Sequence, residues 1–347
     1  MCDAMSETIL AIIMKLTLSI VGSGEATLLF AGDAMMHQAQ IDAAARMAQG
    51  RGYDYADCFT PIECLIKDAD YAVVNLETPL GNGNFTGYPC FNAPVSYASA
   101  LKDAGFDLFL TANNHTLDRR DKGLRFTIEA LDSLGIPHIG TYVDQEARQK
   151  MLPMIVGING FKVAFLNYTY GTNGITAQSD VVIDYIDKDK ISTDVESARR
   201  AGAEIVVAAM HWGDEYVLKP VKSQKILADF MVGEGVDIII GGHPHVVEPY
   251  EIKCHPVTGN PVPVVYSLGN FISNMKTRDT RGGALAVVKL QRDSLGRAYA
   301  GDVRYELVFT VPPADAKSNF MVYPIDSVPA QWRAAAGAFR NALNLKP

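Results

Sequence analysis

The segment VDIIIGGHPH, residues 236–245, takes an apolar, β-branched run directly into two glycines and two histidines. Short apolar runs of this kind, separated by helical stretches, are typical of buried strands in an α/β sheet. Ligands of such sheets gather beyond the carboxyl ends of the strands. Four further runs also end at side chains that can bind a metal ion: ATLLFA (26–31) before Asp33, YAVV (71–74) before Glu77, FDLFL (106–110) before Asn114 and His115, and EIVVAAM (204–210) before His211. Together they predict an α/β fold in which five strand ends converge on one site.

Helix-like segments alternate with these strands. Residues 123–134 carry leucine and isoleucine side chains on one helical face, and residues 188–201 have a helix-like pattern. Residues 222–233 form a third predicted helix, in which Ile226, Phe230 and Met231 supply an apolar stripe. The alternation favours parallel strands joined by helices in this part of the chain.

From about residue 247 the sequence becomes strand-rich and has no helical pattern until an amphipathic stretch at 328–343. No linker separates this part from the first. We therefore expect residues 25–347 to form one domain with two packed sheets flanked by helices. Residues 1–24 are expected to be an N-terminal extension, in which LTLSIV (16–21) is either a short strand or a weak signal sequence.

The composition is that of a soluble globular protein, with 48% hydrophobic and 20% charged residues among 347. A formal net charge of −8 disfavours a general nucleic-acid binder. No run reaches the roughly 18–20 apolar residues of a spanning helix. We see no clear membrane anchor, expect a cytoplasmic rather than an exported protein, and leave the oligomeric state open. Five scattered cysteines favour free thiols, although a bridge such as Cys58–Cys64 stays open.

The polar strand ends have the composition of a divalent-metal site. Two cations a few ångströms apart need an anionic oxygen ligand each, preferably one shared carboxylate, with imidazole or amide ligands to complete the shells. A mixed oxygen and nitrogen set suits Mn, Fe or Zn. We expect one or two such ions, held by Asp33, Glu77, Asn114, His211, His243 and His245.

His243-Pro244-His245 is the most specific part of this set. In an extended backbone, residues two apart point to the same side, and the proline between them restricts φ. Both imidazoles could then face one metal pair. The alternative is a surface turn with two solvated histidines.

Longer motifs around these residues resemble the CapA family, the bacterial poly-γ-glutamate capsule synthesis proteins, which is related to the calcineurin-like metallophosphoesterases. The resemblance implies a four-layer α/β/β/α sandwich of two mixed β-sheets flanked by helices. It covers roughly residues 25–275 through GDAMMH (32–37), NLETPL (75–80), TANNHTLDRRDKGL (111–124), MHWGDEY (210–216), GGHPHVVEPYE (241–251) and YSLGNFI (266–272).

The resemblance also implies roles for the first two motifs. Asp33 matches the first-motif aspartate that ligates a metal. Met35 stands where that motif normally has a histidine, and His37 is a candidate substitute. Asn75-Leu76-Glu77 replaces the motif that carries the bridging aspartate, so Glu77 would be the bridge between two metals.

The remaining motifs imply further ligands and a catalytic group. Asn114 and His211 match metal ligands, as do His243 and His245. His115 matches the histidine that contacts the scissile phosphate or its leaving group.

Several neighbouring residues are candidates for supporting roles. Asp118 could orient His115 or cap a helix. His37, Asn75, Glu215 and Asn270 are candidates for substrate contact or for orienting the ligands. Tyr168, Tyr170 and Asn173 lie in a loop that either covers the site or forms a glycine-rich turn.

These features favour a metal-dependent hydrolase of the metallophosphoesterase type in capsule or poly-γ-glutamate biosynthesis. Its substrate would be a small molecule or polymer of the cell envelope, attacked by a metal-activated water with His115 as acid or phosphate contact. The alternative is a non-catalytic accessory protein that binds capsule polymer and holds one metal or none. A nucleotide-binding Rossmann enzyme is disfavoured, because no glycine-rich loop follows the first strand.

Overall fold

The computed structural model describes residues 24–343. The predicted strand or signal at LTLSIV lies outside these residues, so the N-terminal boundary stays a prediction. Between residues 24 and 343 the chain forms 18 strands and eight α-helices.

The strands are numbered in chain order: β1 (Glu25–Ala34), β2 (Tyr71–Leu76), β3 (Leu80–Gly81), β4 (Ala93–Pro94), β5 (Leu108–Leu110), β6 (His138–Ile139), β7 (Thr141–Tyr142), β8 (Met154–Ile158), β9 (Phe161–Thr169), β10 (Val182–Ile183), β11 (Ile205–His211), β12 (Ile238–Gly242), β13 (Tyr250–Cys254), β14 (Pro261–Val265), β15 (Asn270–Ile272), β16 (Gly282–Arg292), β17 (Ala298–Val311) and β18 (Met321–Pro324). The helices are α1 (Gln38–Met47), α2 (Glu63–Lys67), α3 (Val95–Asp103), α4 (Arg120–Ser133), α5 (Gln145–Met151), α6 (Lys188–Arg200), α7 (Lys222–Glu234) and α8 (Arg333–Ala342).

The strands form two large mixed sheets. The first has the order β18-β17-β16-β1-β2-β5-β6, and β15 also pairs with β1. Its strands are parallel from β1 to β6 and antiparallel from β1 to β18. The second has the order β13-β14-β12-β11-β9-β8, parallel from β14 to β9 and antiparallel at both edges. The five strands that the sequence predicted to carry the site are all among these parallel strands: β1, β2, β5, β11 and β12.

Alternation along the strands produces the layers. Successive side chains of a strand point to opposite faces, so Leu28 and Phe30 of β1 enter a core that also contains Val207 and Ile240 of the second sheet. Leu29, between them, packs in a separate core with the helices that cover the first sheet.

The second sheet follows the same rule. Val206 and Ala208 of β11 pack against Ile191 of α6 and Ala228 of α7. Burial of both faces explains why these strands read as continuous apolar runs rather than as alternating patterns. The order of layers is helices, sheet, sheet and helices, which confirms the predicted four-layer α/β/β/α sandwich.

The predicted helices are present, with one error in the assignment of a face. Residues 123–134, 188–201 and 222–233 fall within α4, α6 and α7 with shifts of one to a few residues. Ile226 was placed in the apolar stripe of α7 but is 49% exposed, whereas Met231 is fully buried. Five residues at 100° each put the two side chains about 140° apart around the helix axis, so they cannot share one face.

Two further features concern the described part of the chain only. Its four cysteines, Cys58, Cys64, Cys90 and Cys254, are unpaired, and Cys58 is buried. None of the helices between residues 24 and 343 combines the length and the apolar character needed to cross a membrane.

Candidate metal centre

Strand register places the polar residues of each sheet at one level. In the first sheet, Asp33 at the end of β1 lies opposite Asn75 of β2 and Asn270 of β15. In the second sheet, His211 at the end of β11 lies opposite Gly242 of β12. Because these ends are carboxyl ends of neighbouring parallel strands, their side chains face a common space between the sheets.

Gly242 lets the two sheets approach each other at this point. A Cβ atom at residue 242 would lie 2.7 Å from Oδ1 of Asp33, which is closer than carbon and oxygen can pack. The next residue, His243, donates its backbone N–H to Oδ2 of Asp33 at 3.2 Å. The absence of a side chain at Gly242 therefore allows a carboxylate of one sheet to contact the backbone of the other.

Five of the predicted ligands form two groups whose ligand atoms lie within 4.8 Å of one another. One group contains Glu77, His211 and His243, and the other contains Asp33, Glu77 and His245. Glu77 belongs to both, which is the position that the sequence predicted for a bridging carboxylate. The sixth predicted ligand, Asn114, has Oδ1 3.0 Å from Nε2 of His211 and so adjoins the first group.

Glu77 differs from the other ligands because its carboxylate is buried and accepts no hydrogen bond. It is fully buried, and neither of its carboxylate oxygens has a hydrogen-bond partner. Burial, followed by the charge of Asp33, raises the pKa of Glu77 well above its ordinary value. Buried polar groups are nearly always hydrogen-bonded, and a lone one is costly. Nδ1 of His243 is likewise buried and unpartnered. A divalent cation would satisfy both residues.

The pKa values of Asp33, His211 and His243 are each lowered, which favours the protonation states that metal binding requires. Burial alone would raise the pKa of Asp33, but the hydrogen bond from His245 and the neighbouring histidines hold it below its ordinary value. Burial, followed by the proximity of His243, lowers the pKa of His211 well below its ordinary value. Carboxylate oxygen and neutral imidazole nitrogen are donors suited to Mn, Fe or Zn. The residues present therefore fit a divalent metal.

The segment that carries His243 and His245 has a different backbone conformation from the extended one expected. Sequence predicted an extended segment, but His243 has φ +99° and His245 has φ +59°. Both values lie in the left-handed region, which costs a non-glycine residue about 1–3 kcal/mol. The bend directs the N–H of His243 at Asp33, and the two ring centroids still lie 6.0 Å apart. The prediction of an extended backbone was wrong, whereas the convergence of the two rings is observed.

Amide side chains hold the carboxylate and imidazole ligands in place. Asn75 donates from Nδ2 to Oδ1 of Asp33 at 2.8 Å. Asn113 donates to Oδ1 of Asn75 at 3.3 Å and to the backbone oxygen of Leu76 at 2.9 Å. Sequence reasoning named Asn75 but missed Asn113, since nothing in its pattern distinguishes it from Asn114. Partners of this kind fix ligand orientation in metal sites.

Asn270 has the same relation to His245. Its Oδ1 lies 3.0 Å from Nδ1 of His245, and its Nδ2 donates to the backbone oxygen of Thr280 at 2.8 Å. The hydrogen bond to Thr280 fixes the amide, so Oδ1 is the atom presented to the imidazole. Asn270 therefore lines the site, as the sequence suggested.

His115 and Asp118 form a buried pair beside the two groups. Nδ1 of His115 lies 2.8 Å from Oδ2 of Asp118, which also accepts the backbone N–H of Phe91 at 2.7 Å. The Phe91 ring packs edge-on against His115 with centroids 4.6 Å apart. Sequence reasoning did not identify Phe91, because it lies in a loop without a recognisable motif.

His37 lies outside both groups. Its Nδ1 is 3.3 Å from Oε1 of Gln40 and accepts the backbone N–H of Asn274 at 3.3 Å. Burial, only partly offset by the bond to Gln40, lowers the pKa of His37 to about 4. Its ring centroid is 5.4 Å from that of Phe91. His37 therefore starts α1 at the edge of the site, and Met35 is not replaced by a second imidazole in either group.

The loop after β9 contacts the site through Tyr170 and Asn173, whereas the third candidate, Tyr168, lies within β9 itself. The ring of Tyr170 lies 4.5 Å from that of His243, and Asn173 accepts a hydrogen bond from Nδ2 of Asn114 at 3.2 Å. Tyr168 instead points to the helical side, where its hydroxyl donates to Asp194 at 2.8 Å. Glu215 lies in an exposed loop four residues after His211, and its charge contributes to the raised pKa of Glu77.

A second buried acid lies behind the histidine segment. Oε2 of Glu248 accepts a hydrogen bond from Gln224 at 2.8 Å, while Oε1 has no partner. Gln224 also accepts the backbone N–H of Val221 at 2.7 Å and so caps α7. Burial raises the pKa of Glu248 to about 7. This acid is therefore mostly protonated in the folded protein below neutral pH.

Comparison with known proteins gives the following matches. The family model described as "Bacterial capsule synthesis protein PGA_cap" matches residues 27–275. The capsule biosynthesis protein CapA of Bacillus anthracis is 28% identical over 282 residues, covering 76% of this chain and 64% of the relative. The PGA biosynthesis protein CapA of Bacillus subtilis is 29% identical over 276 residues, covering 77% and 68%. This chain thus spans about two thirds of the length of each.

Among solved structures, the NAD nucleotidase of Haemophilus influenzae is similar with a TM-score of 0.50 and 14% identity, covering 93% of this chain and 63% of that one. At this identity the likeness shows the fold alone. It agrees with the two-sheet sandwich described above.

We expect Gly242→Ala to destabilise the folded protein by about 1–3 kcal/mol and to weaken metal binding, because the added methyl group must displace the carboxylate of Asp33. Chemical denaturation and calorimetric titration with Mn²⁺ measure the two effects. The matched control is Gly233→Ala in α7, where the new Cβ meets nothing within 4 Å. The control should gain roughly 0.5–1 kcal/mol from helix propensity. Equal behaviour of the two variants would contradict the close approach at Gly242.

We expect Glu248→Gln to change the pH dependence of stability. Between about pH 4.5 and pH 7 the unfolded chain releases the Glu248 proton while the folded protein keeps it, so wild-type stability falls as pH rises and then stays level. The glutamine variant lacks this loss and should gain about 2–3 kcal/mol relative to the wild type between pH 4.5 and pH 8. Urea denaturation at both pH values measures the difference, and parallel curves would refute a raised pKa.

Proposed function

This chain belongs to the bacterial capsule synthesis protein PGA_cap family, and from that premise we propose that it is a metal-dependent phosphoester hydrolase acting in the assembly of capsule or poly-γ-glutamate. Its proposed substrate is a small molecule or polymer of the cell envelope. The metallophosphoesterase-like fold supports this proposal, because it brings the candidate ligands together between the two sheets. Fold alone does not establish chemistry, so the proposal depends on the residues of the site.

One observation carries the proposal. Glu77 is a fully buried carboxylate without a hydrogen-bond partner, and it belongs to two groups of potential ligands at once. A structural acid of the core would be expected to accept hydrogen bonds. A carboxylate shared by two cations needs none, because both oxygens would be used in coordination. The geometry of Glu77 is thus better explained by metal binding than by packing.

The residues divide into two ligand sets in this proposal. Glu77, His211 and His243, with Asn114 beside them, would hold one divalent ion, while Asp33, Glu77 and His245 would hold a second. When bound, such ions polarise an ester oxygen and lower the pKa of a coordinated water toward neutrality. The set that contains Asp33 has fewer protein ligands, since Met35 supplies no imidazole, and is the weaker of the two.

His115 is the proposed acid and phosphate contact. Asp118 accepts the Nδ1–H of His115, which fixes the tautomer and leaves Nε2 as the atom for the substrate. Phe91 packs against the ring and its backbone N–H holds Asp118 in place. His115 can therefore hold a proton at Nε2 and deliver it to the leaving oxygen, or hydrogen-bond the ester, without reorienting.

Burial of the site contributes to the same chemistry. The six ligands and His115 are each 3% exposed or less. Such a site excludes bulk water, which strengthens the interaction of each polar group with a developing charge.

The same burial also favours a second candidate function. A closed cluster with a methionine at one motif position could hold a structural metal only. The protein would then be a non-catalytic accessory that binds an envelope polymer on its surface. Metal content and turnover, measured on the same preparation, distinguish the two functions.

We expect purified protein loaded with Mn²⁺ to hydrolyse bis(p-nitrophenyl) phosphate or p-nitrophenyl phosphate. His115→Ala should lower kcat by about 10²–10⁴ with unchanged metal content, because a proton donor is lost but no ligand is. Glu77→Gln should lower metal content and activity together. Release of p-nitrophenol and metal analysis by mass spectrometry provide the measurements.

Matched controls are His255→Ala in the β13–β14 turn and Glu129→Gln on the exposed side of α4, which should leave both quantities unchanged. Full turnover in His115→Ala would contradict the catalytic role. Bound metal without turnover of either ester would favour the accessory function. Absence of bound metal from the wild type would contradict both ligand sets.

A further inference from the structure

We propose that Tyr88, Tyr170, Tyr216 and Glu215 form a cation-binding cage at the mouth of the metal site, and that the substrate carries an ammonium group close to its anionic ester. This inference rests on the proposed function for the position of the ester. The chemical feature added to that function is a positive charge on the substrate. We call these four residues the cage.

The three tyrosines are unusual for their exposure. Tyr88, Tyr170 and Tyr216 are 73%, 48% and 54% exposed. Large aromatic side chains that remain exposed together often mark a binding surface. Each of the three contacts a residue of the candidate site or a residue packed against it, whereas the core of the protein buries tyrosines such as Tyr97 completely.

Each ring lies over a different part of the site. The Tyr170 centroid is 4.5 Å from that of His243, and the Tyr216 centroid is 6.1 Å from that of His245. Tyr88 lies 6.3 Å from Phe91, the residue that packs against His115. The rings therefore lie beside both groups of candidate ligands and beside the phenylalanine that packs against His115.

Backbone hydrogen bonds hold the main chain of two of these tyrosines in position. The N–H of Tyr170 donates to the backbone oxygen of His211 at 2.9 Å, and that of Tyr216 donates to the oxygen of Pro244 at 2.9 Å. Both acceptors lie in segments that carry candidate ligands. Tyr216 also has φ +67°, an uncommon conformation for a bulky residue. The main chain of Tyr170 and Tyr216 is thus fixed relative to the segments that carry candidate ligands.

Glu215 supplies the negative charge of the cage. Burial, followed by the charge of Glu215, raises the pKa of Tyr216 to about 12, and Tyr88 contributes to the same shift. Burial and then Glu215 also raise the pKa of Tyr170. One carboxylate therefore lies near both rings. Among the ion pairs formed within residues 24–343, none includes Glu215.

This combination of side chains is selective for a cation. The face of an aromatic ring attracts an ammonium group, most effectively when several rings surround it. A carboxylate beside the rings adds to the attraction, whereas it disfavours a second anionic group at that position. A metal centre binds the anionic ester. The two features together fit a zwitterionic group in which an ammonium lies a few bonds from the phosphorus.

The kinetic test compares two esters of the same shape. One is p-nitrophenyl phosphorylcholine and the other is p-nitrophenyl 3,3-dimethylbutyl phosphate, in which carbon replaces the charged nitrogen. The Mn²⁺-loaded wild type should prefer the choline ester in kcat/KM by about fivefold or more. Tyr170→Leu, Tyr216→Leu and Glu215→Gln should each move this ratio toward one, while Tyr170→Phe keeps it. The matched controls are Tyr299→Leu in β17 and Glu146→Gln in α5, whose polar contacts are with Gln291 and Lys150 rather than with the site.

A binding test does not depend on turnover. Protein with ¹³C-labelled tyrosine rings is titrated with tetramethylammonium and, separately, with tert-butanol. Tetramethylammonium should shift the signals of Tyr88, Tyr170 and Tyr216 selectively, and Glu215→Gln should weaken the effect severalfold. Signals assigned by the Tyr→Phe variants identify the three rings.

The outcomes separate this inference from the proposed function. Hydrolysis of both esters with a ratio near one would overturn the cage, as would tyrosine signals that ignore tetramethylammonium. Equal shifts with tert-butanol would also overturn the cage, because they would indicate a surface that binds uncharged apolar groups as well as cations. Absence of turnover combined with selective tetramethylammonium shifts would contradict the hydrolase but support the cage.

Discussion

The architecture of this protein is organised around one buried carboxylate whose oxygens accept no hydrogen bond. Glu77 lies between two β-sheets, shielded from water, and Nε2 of His211 lies 3.6 Å from its Oε1, beyond hydrogen-bond distance. A cation bound where the two sheets meet would satisfy the buried carboxylate of Glu77. Without that charge, burial and the adjacent Asp33 both oppose ionisation of Glu77 and raise its pKa well above the ordinary value. Stability and ligand binding are therefore coupled through a single residue.

The two-sheet sandwich explains how such a position arises. Each sheet contributes parallel strands whose carboxyl ends reach the same space, and strand register fixes the level at which Asp33 and His211 appear. The sheets can meet there only because Gly242 has no side chain. Ligands from opposite sheets then share one centre, and neither sheet could form it alone. Binding of a cation would consequently cross-link the two halves of the sandwich.

Much of this could be predicted from sequence, because the signal lies in where apolar runs end. Asp33, Glu77, His211 and His245 were each predicted from the residues that follow a buried strand, and the structure brings all four together. The layers followed from alternation between strand and helix patterns. Local rules succeeded where the side chain lies at or just beyond the end of a strand.

The parts that sequence could not supply depend on contacts between distant segments. The left-handed backbone of His243 is stabilised by Asp33, 210 residues away, and local preferences would not favour it. Phe91 acquires its place only when its loop folds onto His115. His37 was a candidate ligand, but its Nδ1 accepts the backbone N–H of Asn274 and lies outside both groups. In each instance the tertiary partner, not the local pattern, decides the outcome.

The most direct measurement is an X-ray structure of crystals grown with Mn²⁺ or Zn²⁺, with data collected on both sides of the metal absorption edge. We expect an anomalous peak about 2.0–2.2 Å from an oxygen of Glu77 and from nitrogens of His211 and His243, the distances expected for such ligands. A second, weaker peak would lie beside Asp33 and His245. An ordered cluster with no anomalous signal, in which a protonated Glu77 is hydrogen-bonded to its neighbours, would contradict metal binding at this site.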